Sequence, residues 1–189
     1  VCAGEIIQTL RRGSTDVTLA DYHRAIDLKT AELFRVSCQI GSQLGGHPPA
    51  YRDAAGTFGR HLGIAYQIYD DLADYFGDEK RIGKTLGTDL ASGKLTLPLL
   101  VLLDRLNAAE REVLLGEIRG DRPPQISLHL QQMAVHGVFP VVAGSVQAEM
   151  AAATAALAPW SELAPSRLLL SLCDVLRGQV AALQGAEGA

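Results

Sequence analysis

The chain has 189 residues, a formal net charge of −4 and a hydrophobic fraction of 48%. It has no run of lysines or arginines, so no nucleic-acid-binding surface is predicted. No uninterrupted apolar run reaches the roughly 18 residues of a membrane span, so none is expected. Three widely separated cysteines show neither metal-ligand spacing nor a disulfide pattern, which is typical of reduced thiols in a cytoplasmic protein.

Apolar residues recur at helical spacing along the chain and no alternating strand pattern is present, so the predicted fold class is all-α, without a domain boundary. The chain opens at Val1 in what has the pattern of a helix interior, and we expect further residues before it. The predicted helices are 1–12, 19–44 after a capping box at Thr18 and Asp21, 50–76, 99–106, 108–118, 125–136, 138–157 and 166–183. A glycine- and lysine-rich loop, with room for one short helix, is predicted over 77–94.

The stretch Gln67–Asp74 places three aspartates and a glutamine in an otherwise apolar helix. At about 100° per residue, the four polar side chains fall within an arc of about 100°. Carboxylates one turn apart repel each other, and more strongly where burial weakens solvent screening. A divalent cation relieves this repulsion, and Mg²⁺ prefers oxygen ligands. Asp70, Asp71 and Asp74 are therefore a candidate Mg²⁺ site; a solvated polar face is the alternative.

Three lysines accompany the aspartates. Lys29 precedes Thr30 in the middle of a predicted helix, whereas Lys84 and Lys94 lie in the glycine-rich loop. Ammonium groups bind phosphate oxygens as point charges, so acids and lysines in one pocket indicate a metal–diphosphate site. Taken singly, each lysine is by default exposed to solvent. A P-loop around Lys84 is excluded, because the glycine spacing is one residue too long and no strand precedes it.

In their order and spacing these motifs resemble the C-terminal half of the trans-isoprenyl diphosphate synthases, the polyprenyl synthetase family. The similarity covers about residues 4–103. The matching segments are Gly4-Glu5-Ile6-Ile7-Gln8, Lys29-Thr30-Ala31-Glu32-Leu33-Phe34, Gln67–Asp74, Phe76-Gly77-Asp78, Gly83-Lys84, Gly87-Thr88-Asp89 and Gly93-Lys94-Leu95-Thr96-Leu97-Pro98. The resemblance implies a helical bundle of the isoprenoid synthase type. Residues 1–189 would then be the C-terminal part of a single such domain, without its N-terminal helices.

The resemblance also implies a reaction. With Mg²⁺, an allylic diphosphate would be ionised and condensed with isopentenyl diphosphate to give a longer trans-prenyl diphosphate, in an enzyme that forms homodimers. The residues implied in metal binding are Asp70, Asp74 and Asp71. Asp70 and Asp74 would bind the metal directly, and Asp71 would lie close to the metal or support its ligands. The implied diphosphate-binding residues are Lys29, Lys84 and Lys94, and the residues implied in catalysis near the carbocation are Lys29, Thr30 and Gln67.

One feature departs from the family pattern. Asp70-Asp71 is the only Asp-Asp pair in the sequence, so the family's first aspartate motif and the arginines after it are not found. We therefore expect a fragment of a synthase that makes no prenyl diphosphate alone, and product length is not predicted. The alternatives are a non-catalytic subunit of a heteromeric prenyl diphosphate synthase, a helical interaction module, and a class I terpene cyclase. The cyclase is disfavoured, because its second motif usually contains Ser or Thr and Glu.

Overall fold

The computed structural model describes residues 1–77 and 86–186. These residues form helices and short helical turns, and no strand occurs among them, which confirms the all-α prediction. The helices are α1 Cys2–Leu10, α2 Leu19–Ile26, α3 Glu32–Leu44, α4 Pro49–Phe76, α5 Thr88–Ala91, α6 Leu97–Arg105, α7 Ala108–Arg119, α8 Ile126–Val135, α9 Val138–Leu157 and α10 Ala164–Ala186. A π-helical segment, Asp27–Ala31, joins α2 to α3, and a 3₁₀ turn, Ala158–Trp160, follows α9.

Local capping chemistry sets the starts of several helices. At α2 the Thr18 hydroxyl accepts a hydrogen bond from the Asp21 backbone N–H, and the Asp21 carboxylate accepts one from the Thr18 N–H. Asn107 and Glu110 form a second capping box at the start of α7. These reciprocal bonds satisfy N–H groups that have no partner within the helix, so both predicted starts are confirmed.

The predicted helix 19–44 is wrong in one respect, because the π-helical segment Asp27–Ala31 interrupts it. In this segment the Glu32 N–H reaches back five residues to the Asp27 carbonyl, where an α-helix reaches back four. The sequence prediction treats the stretch as one uninterrupted α-helix and does not include this wide turn. Lys29 and Thr30, two predicted site residues, lie inside this segment.

The short helix α5 lies within the predicted loop 77–94, where one short helix is expected. A smaller difference concerns the bound of the last helix. Helix α10 begins at Ala164, two residues before the predicted start, because Pro165 fits the first turn, where no intrahelical N–H bond is needed.

Helix α4 is the centre of the bundle and packs against α3 and α9 on different sides. Its side chains Phe58, Ile68 and Leu72 are fully buried. On the α3 side, a Cβ added at Gly59 would lie 2.5 Å from the Phe34 carbonyl oxygen. The backbones of α3 and α4 therefore approach so closely that only glycine fits there.

Helix α9 is the one part of the described chain that meets the length and hydropathy criteria of a membrane span, over Val138–Trp160 with a mean hydropathy of 1.3. The core helix of a globular protein meets the same criteria. Val142, Val146 and Met150 of α9 are fully buried in the core, although only 28% of the most apolar stretch of this helix is buried.

Candidate active site

The predicted aspartate motif lies on the second half of α4 and is largely buried. Asp71 and Asp74 are 0% and 1% exposed, Gln67 is buried, and Asp70 is half-buried. Burial of ionised carboxylates is costly unless hydrogen bonds or opposite charges compensate it. The alternative of a solvated polar face is therefore excluded, and each carboxylate must have partners.

Asp71 is the centre of a buried hydrogen-bond network. Its Oδ2 accepts from the Tyr22 hydroxyl at 2.7 Å. Its Oδ1 accepts from Gln67 Nε2 and from Lys94 Nζ, each at 3.1 Å. These bonds join α2, α4 and the segment after α5, so this one carboxylate fixes three parts of the chain relative to one another.

The residues that follow the undescribed stretch 78–85 hold Asp74. The Thr88 hydroxyl donates to its Oδ1 at 2.7 Å, and the Asp89 backbone N–H donates to its Oδ2 at 2.9 Å. The Gly87 N–H donates to the Asp74 backbone carbonyl at 2.7 Å. Three consecutive residues thus bind one residue of α4.

Lys94 lies between two carboxylates. Its Nζ is 3.1 Å from Asp71 Oδ1 and 3.1 Å from Asp89 Oδ1, and its side chain is 13% exposed. Burial lowers the pKa of Lys94, but the charges of Asp71 and Asp89 raise it more, so the net pKa lies above the ordinary value for lysine. Lys94 therefore stays protonated, and its charge is already shared by two acids.

Burial and like charges act on the acids of this cluster. Burial, followed by repulsion from Asp71, raises the pKa of Asp89 to about 7 against the opposing effect of Lys94. Burial also raises the pKa of Asp71, which Lys94 and Tyr22 oppose. Burial and the charge of Asp71 raise the pKa of Tyr22 well above its ordinary value, so this hydroxyl remains a hydrogen-bond donor.

The π-helical segment places Thr30 and Lys29 at the edge of the same region. The Thr30 hydroxyl donates to Gln67 Oε1 at 2.7 Å, which extends the Asp71 network to α3's start. Lys29 instead points to α1, with its Nζ 2.9 Å from Glu5 Oε2 and 2.6 Å from Gln8 Oε1. Gly4 permits this contact, because a Cβ there would lie 2.3 Å from the Lys29 backbone nitrogen.

A cavity of about 500 Å³ opens beside these two residues. Its surface is mostly apolar, and its polar lining residues include Glu5, Lys29 and Thr30. The other lining residues are Val1, Cys2, Ile6, Leu33 and Phe34. A larger cavity of about 620 Å³ lies at the end of α4 and contains none of the predicted site residues. The smaller cavity therefore fits the candidate site better than the larger one.

Of the predicted site residues, the structure joins Thr30, Gln67, Asp71 and Lys94 into one network. Gln67 Nε2 also donates a long hydrogen bond of 3.5 Å to Asp70 Oδ2, and Asp74 is connected to Lys94 through Asp89. Lys29 binds α1, and Lys84 lies outside the described residues. Sequence reasoning assigned no role to Tyr22, Thr88 or Asp89. The Gly87-Thr88-Asp89 motif was a signal for two of them, but nothing in the sequence indicated Tyr22.

The carboxylates differ in how well they suit a metal ion. Each carboxylate oxygen has two acceptor positions, and Asp71 Oδ1 uses both for Gln67 and Lys94. Each oxygen of Asp74 accepts one hydrogen bond from the segment Gly87–Asp89, which leaves one acceptor position on each. Asp70 is the most exposed of the three carboxylates. Among residues 1–77 and 86–186, no three His, Cys, Asp or Glu side chains converge as a ready-made metal site. Asp70 and Asp74 fit Mg²⁺ as oxygen ligands, and Asp71 fits a supporting role.

Sequence relatives share the region that contains the site. The polyprenyl synthetase family profile matches residues 1–133. Octaprenyl diphosphate synthase of Escherichia coli (strain K12) is 41% identical over 100 residues, which are 53% of this chain and 31% of that protein. Heptaprenyl diphosphate synthase component 2 of Geobacillus stearothermophilus is 40% identical over 111 residues, 58% of this chain and 35% of that protein.

Solved structures match the fold over nearly the whole chain. The polyprenyl synthase from Caulobacter crescentus CB15, complexed with calcium and isoprenyl diphosphate, has a TM-score of 0.87 at 30% identity, over 93% of this chain and 54% of that chain. A decaprenyl diphosphate synthase from Rhodobacter capsulatus has a TM-score of 0.84 at 30% identity, over 95% of this chain and 56% of that chain.

The helical bundle and its structural neighbours define an isoprenoid synthase fold. Within that class, the chain belongs to the polyprenyl synthetase family, whose profile matches residues 1–133 of its 189. The matched part of the chain spans about a third of the length of the Escherichia coli and Geobacillus stearothermophilus proteins.

Proposed function

We propose that this chain carries the allylic-diphosphate site of a Mg²⁺-dependent trans-prenyl diphosphate synthase. The observation that carries the proposal is the continuous hydrogen-bond network from Thr30 through Gln67 and Asp71 to Lys94. It connects the apolar cavity to the acids and lysine that suit a metal-bound diphosphate. The names of the sequence relatives support the same chemistry.

The acids and lysines have separate roles in this proposal. Asp70 and Asp74 hold Mg²⁺, which when bound stabilises the negative charge that develops on the leaving diphosphate. Asp71 fixes Lys94 in place as a neighbouring cation. Lys29, Lys84 and Lys94 contact the diphosphate, and Lys29 exchanges Glu5 for a phosphate oxygen when it does so.

In the reaction, the allylic C–O bond breaks and its electron pair leaves with the diphosphate. The double bond of isopentenyl diphosphate then attacks the allylic cation, a C–C bond forms and a proton is lost. The Thr30 hydroxyl donates its only hydrogen to Gln67, so it presents oxygen lone pairs to its surroundings. Lone pairs stabilise a nearby cation, while apolar walls such as Leu33 and Phe34 exclude water from it.

The experiment is a titration of Mg²⁺ and inorganic pyrophosphate into this chain, followed by calorimetry. We expect Mg²⁺-dependent binding of pyrophosphate, and Asp70→Ala should raise the required Mg²⁺ concentration more than about tenfold. Asp53→Ala is the matched control, because Asp53 is an exposed acid on the same helix. Absence of binding by the unmodified chain, or an equal effect of both variants, would refute the proposal.

Catalysis is tested with the complete gene product that contains this chain. We expect Mg²⁺-dependent elongation of an allylic diphosphate with isopentenyl diphosphate, seen as longer products by mass spectrometry. Asp70→Ala should lower the rate by at least about 100-fold, because it removes stabilisation of the leaving group.

A subunit of a heteromeric prenyl diphosphate synthase is the second candidate, with this chain as a non-catalytic partner. The 40% identity to a protein named as component 2 of a heptaprenyl diphosphate synthase supports a heteromeric assembly, and that name does not describe the component as non-catalytic. Product formation by the gene product alone would exclude it, whereas activity only after addition of a co-expressed partner would support it. In either case we propose a homodimeric or heteromeric cytoplasmic enzyme in which residues 1–189 are part of one isoprenoid synthase domain.

A further inference from the structure

The Asp74 carboxylate is held from outside its own helix. Oδ1 accepts from the Thr88 hydroxyl and Oδ2 from the Asp89 N–H, at 2.7 and 2.9 Å. Both donors belong to the segment Gly87–Asp89, which follows the undescribed residues 78–85 in the sequence. These bonds fix the rotation of the carboxylate and leave one acceptor position on each oxygen.

The backbone shape of this segment is itself constrained. Gly87 has φ 71, a left-handed conformation that side chains disfavour, and a Cβ there would lie 2.4 Å from Ile126 of α8. Its N–H also binds the Asp74 carbonyl at 2.7 Å. The left-handed Gly87 and its bond to the Asp74 carbonyl thus place the next residue, Thr88, beside the Asp74 carboxylate, where its hydroxyl donates to Oδ1.

The same segment is linked to the diphosphate-binding side. The Asp89 carboxylate binds Lys94 Nζ at 3.1 Å, and Lys94 binds Asp71 at the same distance. Asp74 and Lys94 are therefore tied to each other through Asp89, by its backbone N–H on one side and its side chain on the other. The distance between the Asp74 carboxylate and the Lys94 ammonium is therefore fixed before a ligand binds to both a metal at Asp74 and Lys94.

We propose that Thr88 is a positioning residue for the metal site, which orients the Asp74 carboxylate so that its remaining lone pairs are available to Mg²⁺. This inference rests on the proposed function. Thr88 itself touches neither metal nor substrate in this assignment. Hydrogen bonds to metal-binding carboxylates set ligand orientation, and their loss typically weakens metal binding about 10- to 100-fold.

The test compares Thr88→Val, which keeps the shape but removes the hydroxyl, with Thr88→Ser, which restores a hydroxyl. Mg²⁺ is titrated at fixed inorganic pyrophosphate, and binding is followed by calorimetry. We expect Thr88→Val to raise the Mg²⁺ midpoint about tenfold, and Thr88→Ser to stay within about twofold of the unmodified chain. Thr57→Val is the matched control, because the exposed Thr57 hydroxyl binds only the Asp53 carbonyl of its own helix.

The outcomes separate the two proposals. If the unmodified chain binds pyrophosphate with Mg²⁺ but Thr88→Val leaves the midpoint within about twofold, the positioning role is overturned and the proposed function stands. If the unmodified chain shows no such binding, the proposed function falls, and the positioning role with it. A lower melting temperature of Thr88→Val without a shifted midpoint indicates a purely structural role and also overturns the inference. Should Thr88→Val fail to fold, Thr88→Ala removes the same hydroxyl with a smaller side chain and must show the same rise.

Discussion

The hydroxyl of Tyr22 donates a hydrogen bond to the buried carboxylate of Asp71 at 2.7 Å, although the two residues are 49 positions apart in the sequence. Asp71 has no exposed surface, so water cannot replace this donor without a rearrangement of the core. The bond ties α2 to the motif on α4 and keeps Asp71 directed at Lys94.

Tyr22→Phe should therefore destabilise the fold. The variant removes the donor and leaves a buried, charged acceptor with one partner fewer, which costs about 1 to 3 kcal/mol. Urea unfolding followed by circular dichroism measures the change in the free energy of unfolding. Tyr66→Phe is the control, since Tyr66 is 45% exposed. A Tyr22→Phe value equal to that of the control would contradict the prediction.

The raised pKa of Asp89 should make stability depend on pH. Between the ordinary aspartate pKa of 3.8 and about 7, the folded protein keeps a proton on Asp89 that the unfolded chain has released. The folded state then binds more protons, so the Asp89 contribution to the free energy of unfolding falls as pH rises through this range and is constant above it.

Asp89→Asn lacks this ionisation. Its free energy of unfolding, relative to that of the unmodified chain, should rise steadily from about pH 4 to about pH 7 and then level off. Urea unfolding in EDTA across this range measures the difference. Asp53→Asn, at an exposed position, should show no such trend. A difference that is flat with pH would show that Asp89 titrates as an ordinary aspartate.

The close approach of α3 and α4 predicts opposite effects of two glycine substitutions. Gly59→Ala would place a methyl group 2.5 Å from a backbone oxygen of α3, which cannot move cheaply, so a loss of about 1 to 3 kcal/mol is expected. Gly144→Ala, within α9, meets no atom within 4 Å and should gain about 0.5 to 1 kcal/mol. Thermal and urea unfolding test both, and a Gly59→Ala variant as stable as the unmodified chain would contradict the close contact between α3 and α4.

The three cysteines should differ in reactivity. Cys2 is exposed, whereas burial raises the pKa of the Cys38 and Cys173 thiols. Because the thiolate is the reactive form, iodoacetamide at neutral pH should alkylate Cys2 at least about tenfold faster than the other two. Peptide mass spectrometry over time measures the rates. All three should react alike in denaturant, and faster modification of Cys38 in the folded protein would show the prediction to be wrong.

The helical fold followed from sequence because its signals are local. Capping residues such as Thr18 and Asn107 act within three positions of themselves, so their effect is visible in a short stretch. Gly137, the residue after the predicted helix 125–136, has a left-handed φ of 60, which is typical of a residue that follows a helix end. The π-helical segment escaped prediction, because its hydrogen bonds differ from those of an α-helix by one residue and leave no mark on composition.

The geometry of the candidate site could be predicted only where its residues belong to one short motif. Asp70 and Asp74 are one turn apart, so their common face followed from helix geometry. The role of Asp71 as the partner of Tyr22 and Lys94 did not, because these contacts join residues 49 and 23 positions away. Such contacts depend on how helices pack, which periodicity does not encode.

The π-helical segment Asp27–Ala31 changes which side chains of α2 and α3 lie on the same side of the helix axis. A turn that takes one additional residue rotates everything after it by about 100° relative to an uninterrupted α-helix. The face of α2 that buries Tyr22 is therefore not the face that continues along α3. Deletion of a single residue from Asp27–Ala31 would bring the two faces back into phase, and Thr30 could then no longer reach Gln67 while α3 kept its contact with α4. The number of residues in this segment is thus as specific a requirement as their identity.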